Sequence, residues 1–116
     1  MKYKQGDIIK VSFNPTMGHE QAGYRPALVI QTNTLTAVLN SVIVVLPISN
    51  TATKLPFQVS LDNRTKTTGN ILCRQIRAID LMKRHTVYVE KVPYDILKEC
   101  VENIHRIIEL EPEDNY

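Results

Sequence analysis

Asn14–Ile30 reads NPTMGHEQAGYRPALVI, and the fold turns on where its loop becomes a strand. Pro15, Gly18, Gly23 and Pro26 punctuate the polar part, which also carries His19, Glu20, Gln21 and Arg25. The apolar run Ala27–Gln31 then reads as a fully buried strand. Loops that present a base, an acid and an arginine beside a rigid strand are common places for binding and chemistry. Pro26 fixes its own φ and drives Arg25 toward an extended backbone, so the guanidinium is aimed at the junction of loop and strand.

Working outward, further short strands appear. Ile8–Phe13 alternates as a half-buried strand after Gly6 and Asp7. Ser41–Leu46 (SVIVVL) is an apolar, β-branched run that Pro47 is expected to close. A polar loop over residues 49–56 leads to an alternating strand at Phe57–Leu61, with Phe57 expected in the core. Asp62–Gly69 (DNRTKTTG) is a basic, turn-rich connector. Asn70–Cys73 and Gln75–Ile79 read as strands, or as one interrupted strand, and Thr86–Val92 as the last. Thr32–Asn40 is polar enough for either a loop or a short helical turn.

The period changes at the C-terminal end. Ile96, Leu97, Cys100, Val101, Ile104, Ile107 and Ile108 form one helical stripe, with Glu99, Glu102, Asn103 and Glu109 off it. Pro93 suits the first turn and Pro112 marks the end. Several strands followed by one amphipathic helix predict an α+β, mainly β domain on a small curved sheet or barrel.

Composition narrows the class. With 116 residues, the chain is expected to be one domain, residues 1–116, with a core of its own. No apolar run approaches the roughly 20 residues of a membrane span, and the opening MKYKQGD has no signal-peptide apolar region, so a cytoplasmic protein is expected. Cys73 and Cys100 lie in apolar contexts and are expected to be buried free thiols. Three scattered histidines (His19, His85, His105) with no CxxC or HxxxH spacing predict no metal site and no cofactor. Residues 1–94 hold twelve Lys and Arg against five Asp and Glu, whereas residues 95–116 hold two against seven. A basic body with an acidic end suits a polyanionic ligand; it also fits an ordinary solvated surface.

The motifs together resemble one family. GHEQAGYRP is similar to the GSEQ-x-G-x-RP signature of the MazF/PemK/Kid ribonuclease toxins, and Asp7, Val11 and Phe13–Thr16 match the DxxxVxFNPT strand before it. PIS, PFQVSLD, the TTG turn, QIRAID and the final helix follow in the family's order. The resemblance implies an SH3-like antiparallel barrel of the CcdB/MazF/Kid type with a C-terminal helix. It implies a homodimeric, metal-independent endoribonuclease that cuts single-stranded mRNA, leaving a 2′,3′-cyclic phosphate and a 5′-hydroxyl. It also implies a cognate antitoxin whose acidic C-terminal tail competes with RNA for the basic groove.

Cleaving RNA in this way needs a proton acceptor for the 2′-hydroxyl, a donor for the departing 5′-oxygen, and cations or donors for the non-bridging oxygens. Arg25 fits the last role, since its guanidinium stays charged and grips phosphate through two hydrogen bonds. The resemblance makes it catalytic, and extends this to Ser49, which could otherwise be a simple turn hydroxyl. Histidine is the side chain whose ordinary range spans neutrality, which makes His19 the third catalytic candidate. Glu20 could take a proton or organise the loop, and Gln21 could bind RNA or orient it. Tyr24 could stack on bases, while Lys54, Arg64 and Lys66 are candidate phosphate contacts.

One departure stands out in ILCRQIRAID. Arg74 replaces the acidic residue the family carries ahead of Gln75, and Leu72 stands where the Kid-like branch has a catalytic arginine. Three expectations follow: proton removal falls to Glu20, His19 or water held by Arg25, or Arg74 serves as a second phosphate donor, or this position binds RNA and leaves the chemistry alone. Gln75 joins the substrate-binding candidates. Arg77 reads as a structural ion-pair partner and Asp80 as a turn residue bonding backbone N–H groups. The rival expectation is a non-enzymatic toxin resembling the gyrase poisons of the same barrel, or an RNA-binding module. Gyrase poisons depend on a distinctive aromatic C-terminal end, which EPEDNY does not resemble.

Overall fold

The computed structural model describes residues 3–12, 24–51 and 55–116. Seven strands and two helices appear among them: β1 (Asp7–Ser12), β2 (Tyr24–Val29), α1 (Asn33–Val38), β3 (Val42–Ser49), β4 (Gln58–Ser60), β5 (Asn70–Leu72), β6 (Arg77–Asp80), β7 (Thr86–Lys91) and α2 (Tyr94–Ile107). The strands pair antiparallel in the order β4-β5-β3-β2-β1-β7, and β6 also pairs with β3. The two ends of this order are not joined among the described residues, so the curved sheet approaches the expected barrel without closing.

Pro47 does not end its strand. β3 continues to Ser49, with Pro47 opposite Ala27 of β2. Its other edge changes partner there: β6 pairs as far as Val45, and β5 takes over at Ile48. A proline has no N–H to give, and this break between partners is where the loss is tolerated. The 3₁₀ turn Cys73–Gln75 fills the step between β5 and β6, so the suspected single strand is an interrupted one.

Strand alternation divides the core into two layers. Ile8, Leu28, Leu46 and Ile48 face α2 and pack with Ile71, Val59, Ile96, Leu97 and Cys100. Ile9, Val11, Ala27, Val29, Ile43, Val45 and Ile79 form the opposite layer with Tyr3. Each fully buried Ile, Leu or Val contributes about 1.5–3 kcal/mol relative to exposure, so both layers are needed in a chain of this size. Helix α2 starts where the sequence indicates, with the Pro93 carbonyl accepting from the N–H groups of Ile96 and Leu97, both at 3.1 Å. It stops at Ile107, well before Pro112, and the stripe residue Ile108 lies outside it and exposed.

Other local expectations shift as well. Residues 33–38 form a helix, capped by the Thr32 hydroxyl accepting from Leu35 N–H at 3.2 Å. β2 begins at Tyr24, so Arg25 and Pro26 belong to the strand rather than to the loop before it. Phe57 is not a core residue: it takes φ 64° in the turn before β4 and is exposed.

Candidate active site

At one end of the sheet, strand register brings Arg25 and Ser49 together. Ala27 pairs with Pro47, and moving two residues along each antiparallel strand places Arg25 opposite Ser49 on the same face. Both line a cleft of about 440 Å³ with Pro47, Thr51, Leu55, Gln58, Leu72, Gln75 and Arg77 among its other walls. Among the described residues the lining carries two guanidinium groups and no carboxylate, and their field favours an anion.

Backbone features hold the Ser49 corner in place. The Ser49 hydroxyl accepts from Thr51 N–H at 3.0 Å and donates to Thr51 Oγ1 at 3.1 Å. The turn role and the cleft position therefore coexist, and rotating the hydroxyl can redirect its proton to a bound oxygen. Gly69 lies against the Ser49 backbone with φ +116°, and a Cβ there would stand 2.6 Å from the Ser49 carbonyl oxygen. Only glycine fits both the conformation and the space. The TTG turn thus supports the cleft from behind, a role its sequence alone does not reveal.

The opposite wall is anchored through sulfur. Cys73 and Cys100 are free, buried thiols in hydrogen-bonding contact, joining the 3₁₀ turn to α2. Asn103 adds an N–H donor to Cys73 Sγ at 3.9 Å. The hydrogen bond with Cys73, together with burial, pushes the Cys100 thiol well above its ordinary range, so it stays neutral. Gln75, two residues past Cys73, is carried into the cleft by this anchored turn.

Of the sequence candidates, Arg25, Ser49 and Gln75 converge here, and Arg77, expected as a structural ion-pair partner, also lines the cleft. Gln58 and Thr51 were not anticipated; they follow from the strand pairing of β4 and the turn after β3. Arg74 is exposed on the 3₁₀ turn and is not among the lining residues. Tyr24 stacks on His85, with ring centroids 5.9 Å apart. Asp80 accepts from Met82 N–H at 3.0 Å, a turn role as expected. His19, Glu20, Gln21 and Lys54 lie outside the described residues.

Arg64 does not line the cleft. Its guanidinium is engaged by Asp62 at 2.9 Å and Asp95 at 2.8 Å, tying the connector to the first turn of α2. The Arg64 hydrogen bonds hold both carboxyls below their usual range. Asp62 is a neighbour in the chain, but Asp95 lies 31 residues beyond Arg64, past β5, β6 and β7, so the full pairing is not legible beforehand. Lys66 is exposed, and its turn is held by Glu90, which accepts from Lys66 N–H at 3.0 Å and Thr67 N–H at 2.8 Å.

A small, open antiparallel sheet backed by a C-terminal helix, with a cationic, hydroxyl-bearing cleft at one end, defines a narrow class of β-rich domains. Residues 4–108 match the family described as PemK-like, MazF-like toxin of type II toxin-antitoxin system. Endoribonuclease PemK of Escherichia coli is 37% identical over 109 residues, covering 90% of this chain and 81% of that protein. Endoribonuclease toxin ChpB of Escherichia coli is 29% identical over 113 residues, covering 93% and 96%. The crystal structure of MazF from Deinococcus radiodurans superposes with a TM-score of 0.78 at 28% identity, covering 90% of this chain and 94% of that one. The chain belongs to the PemK-like, MazF-like toxin family.

Proposed function

We propose that the protein is an endoribonuclease toxin that cleaves single-stranded mRNA at the Arg25–Ser49 cleft. The observation that carries this reading is the register: one strand supplies a fixed cation, its neighbour a hydroxyl, and both face a cleft whose described lining holds no carboxylate. Arg25 binds the non-bridging oxygens of the scissile phosphate and stabilises the charge that grows on them as the 2′-oxygen attacks. Ser49 turns its hydroxyl from Thr51 to the same phosphate. Arg77 adds a second positive charge, and the carboxamides of Gln58 and Gln75 offer donors and acceptors to a base edge.

The 2′-oxygen forms a bond to phosphorus as the bond to the 5′-oxygen breaks, giving a 2′,3′-cyclic phosphate; the proton lost by the 2′-hydroxyl is balanced by one that water gives to the departing 5′-oxygen, leaving a 5′-hydroxyl. The described lining residues contain neither an imidazole nor a carboxylate, so the proton acceptor falls to His19, Glu20 or water beside Arg25. The active species is a homodimer in the cytoplasm, restrained by an antitoxin whose acidic C-terminal tail is drawn to the same positive field. The test is incubation with long single-stranded RNA in excess EDTA, followed by mapping of fragment ends. Cuts at a short recurring sequence with those two termini support the reading; intact RNA, or cutting abolished by chelation, overturns it.

A further inference from the structure

A second basic cleft lies on the other face of the same strands. Arg25 and Ser49 face the first cleft, while their chain neighbours Pro26 and Asn50 line a second, of about 350 Å³, together with Lys10, Lys66, Thr67, Thr68 and Val89. The two sites are back to back at one end of the sheet, as alternation along β2 and β3 requires.

The second cleft is built for an anion. Among the described residues, neither the Lys10 nor the Lys66 side chain is taken up by an ion pair or hydrogen bond. Thr68 donates its hydroxyl to Asn50 Oδ1 at 3.2 Å, which leaves the Asn50 NH₂ as a donor. Glu90 is the nearby carboxylate, and its oxygens are occupied by Lys66 N–H, Thr67 N–H and the Thr67 hydroxyl, the last at 2.7 Å. The described lining residues include no acid.

An aromatic platform adjoins it. Lys10 pairs with Pro26 and Ser12 with Tyr24, so Lys10, Ser12, Pro26 and Tyr24 share one face. On the other side of β1, His85 continues the β7 register opposite Ser12, and its ring stacks on Tyr24 with an interplanar angle of 27°. Both rings are exposed. A basic groove beside exposed aromatic rings is the arrangement that grips single-stranded nucleic acid, with phosphates on the cations and a base on the rings. An acidic peptide would use the lysines but has no need of the stack.

We propose that the Lys10–Lys66 cleft and the Tyr24–His85 stack form a second subsite for single-stranded RNA, holding nucleotides that flank the cleaved bond. This rests on the RNA-cleaving role of the first cleft. Consecutive phosphates in a single strand are several ångströms apart, so a strand rounding the end of the sheet reaches the second face within a few nucleotides.

Two probes test it, each with a 2′-deoxy sugar at the mapped cut: one limited to the recognition sequence, the other extended by eight nucleotides on each side. Wild type is compared with Lys10→Ala/Lys66→Ala and with Tyr24→Leu, each checked for native circular dichroism. The subsite requires the affinity ratio of long to short probe to fall about tenfold in the lysine variant. Its plot of log K against log salt for the long probe should flatten by about 1.4, since each single-strand phosphate contact contributes about 0.7. Tyr24→Leu should lower the same ratio and leave the slope as it was. A ratio and slope that match wild type in the lysine variant overturn the proposal. So does loss confined to an oligoglutamate probe, which would assign the cleft to an acidic peptide. If wild type binds neither RNA, the first cleft's role fails as well.

Discussion

Arg25 and Ser49 face each other across neighbouring strands, two residues beyond the Ala27–Pro47 pair, and look into one cationic cleft. Neither depends on the other for its place: Pro26 and the strand pairing set Arg25, and Thr51 and Gly69 set Ser49. The two should therefore separate cleanly in mutants.

Replacing Ser49 by Ala removes the hydroxyl and its bonds to Thr51. Cleavage should slow about 10- to 100-fold, less than a full phosphate clamp is worth. Ser49→Thr keeps the hydroxyl and should restore most of the rate. Single-turnover kinetics on one labelled oligonucleotide distinguish the two, and equal rates in Ala and Thr variants would remove Ser49 from the chemistry.

Gly69→Ala puts a methyl group 2.6 Å from the Ser49 carbonyl and forces a strained positive φ. It should cost about 1–3 kcal/mol of stability and lower cleavage, because the strand end carrying Ser49 must move. Thermal unfolding and a cleavage assay below the transition measure both. An unperturbed variant would mean that the turn does not set the site.

Glu90 titrates in a useful direction. Burial works against its charge, but hydrogen bonds from Thr67 and Lys66 and the Lys66 ammonium outweigh that, so its folded pKa lies below 4.5. A depressed carboxylate stabilises the fold fully above its unfolded pKa and loses that contribution as pH falls through the folded value. Between neutrality and pH 5 stability should thus be flat in this respect, declining only below about 4.5. Glu90→Gln should reduce stability at pH 7 and shrink the difference from wild type at pH 3, as read by urea midpoints.

Arg64→Ala separates a structural role for this side chain from a phosphate contact. Because Asp62 and Asp95 already engage the guanidinium, RNA cleavage should stay within about twofold of wild type, while a salt-sensitive part of stability is lost. A large fall in RNA affinity at constant fold would return Arg64 to the substrate contacts.

The sequence disclosed what depends on periodicity and on local aiming. Helix α2 is legible from its stripe, and its first turn from Pro93. Arg25 is legible from Pro26 and from the family's motif order. Long-range pairing hides the rest: Pro47 looks like a strand terminator until β5 and β6 are seen to divide its edge. Phe57 looks like core because hydrophobicity says nothing of a turn at φ 64°. Arg77 enters the cleft through the β3–β6 register, and Arg64 is held by an acid on α2. Neither fact is local.

The most direct test is the single-turnover cleavage rate of Arg25→Ala, with Arg25→Lys beside it, on an oligonucleotide bearing the mapped cut site in excess EDTA. Arg25 is exposed, so both variants should fold as wild type does, which circular dichroism verifies. The expected outcome is a fall of about 10²–10³-fold or more for Ala and a smaller one for Lys, which keeps the charge and loses the fork. A folded Arg25→Ala protein that cuts at the wild-type rate would contradict the account.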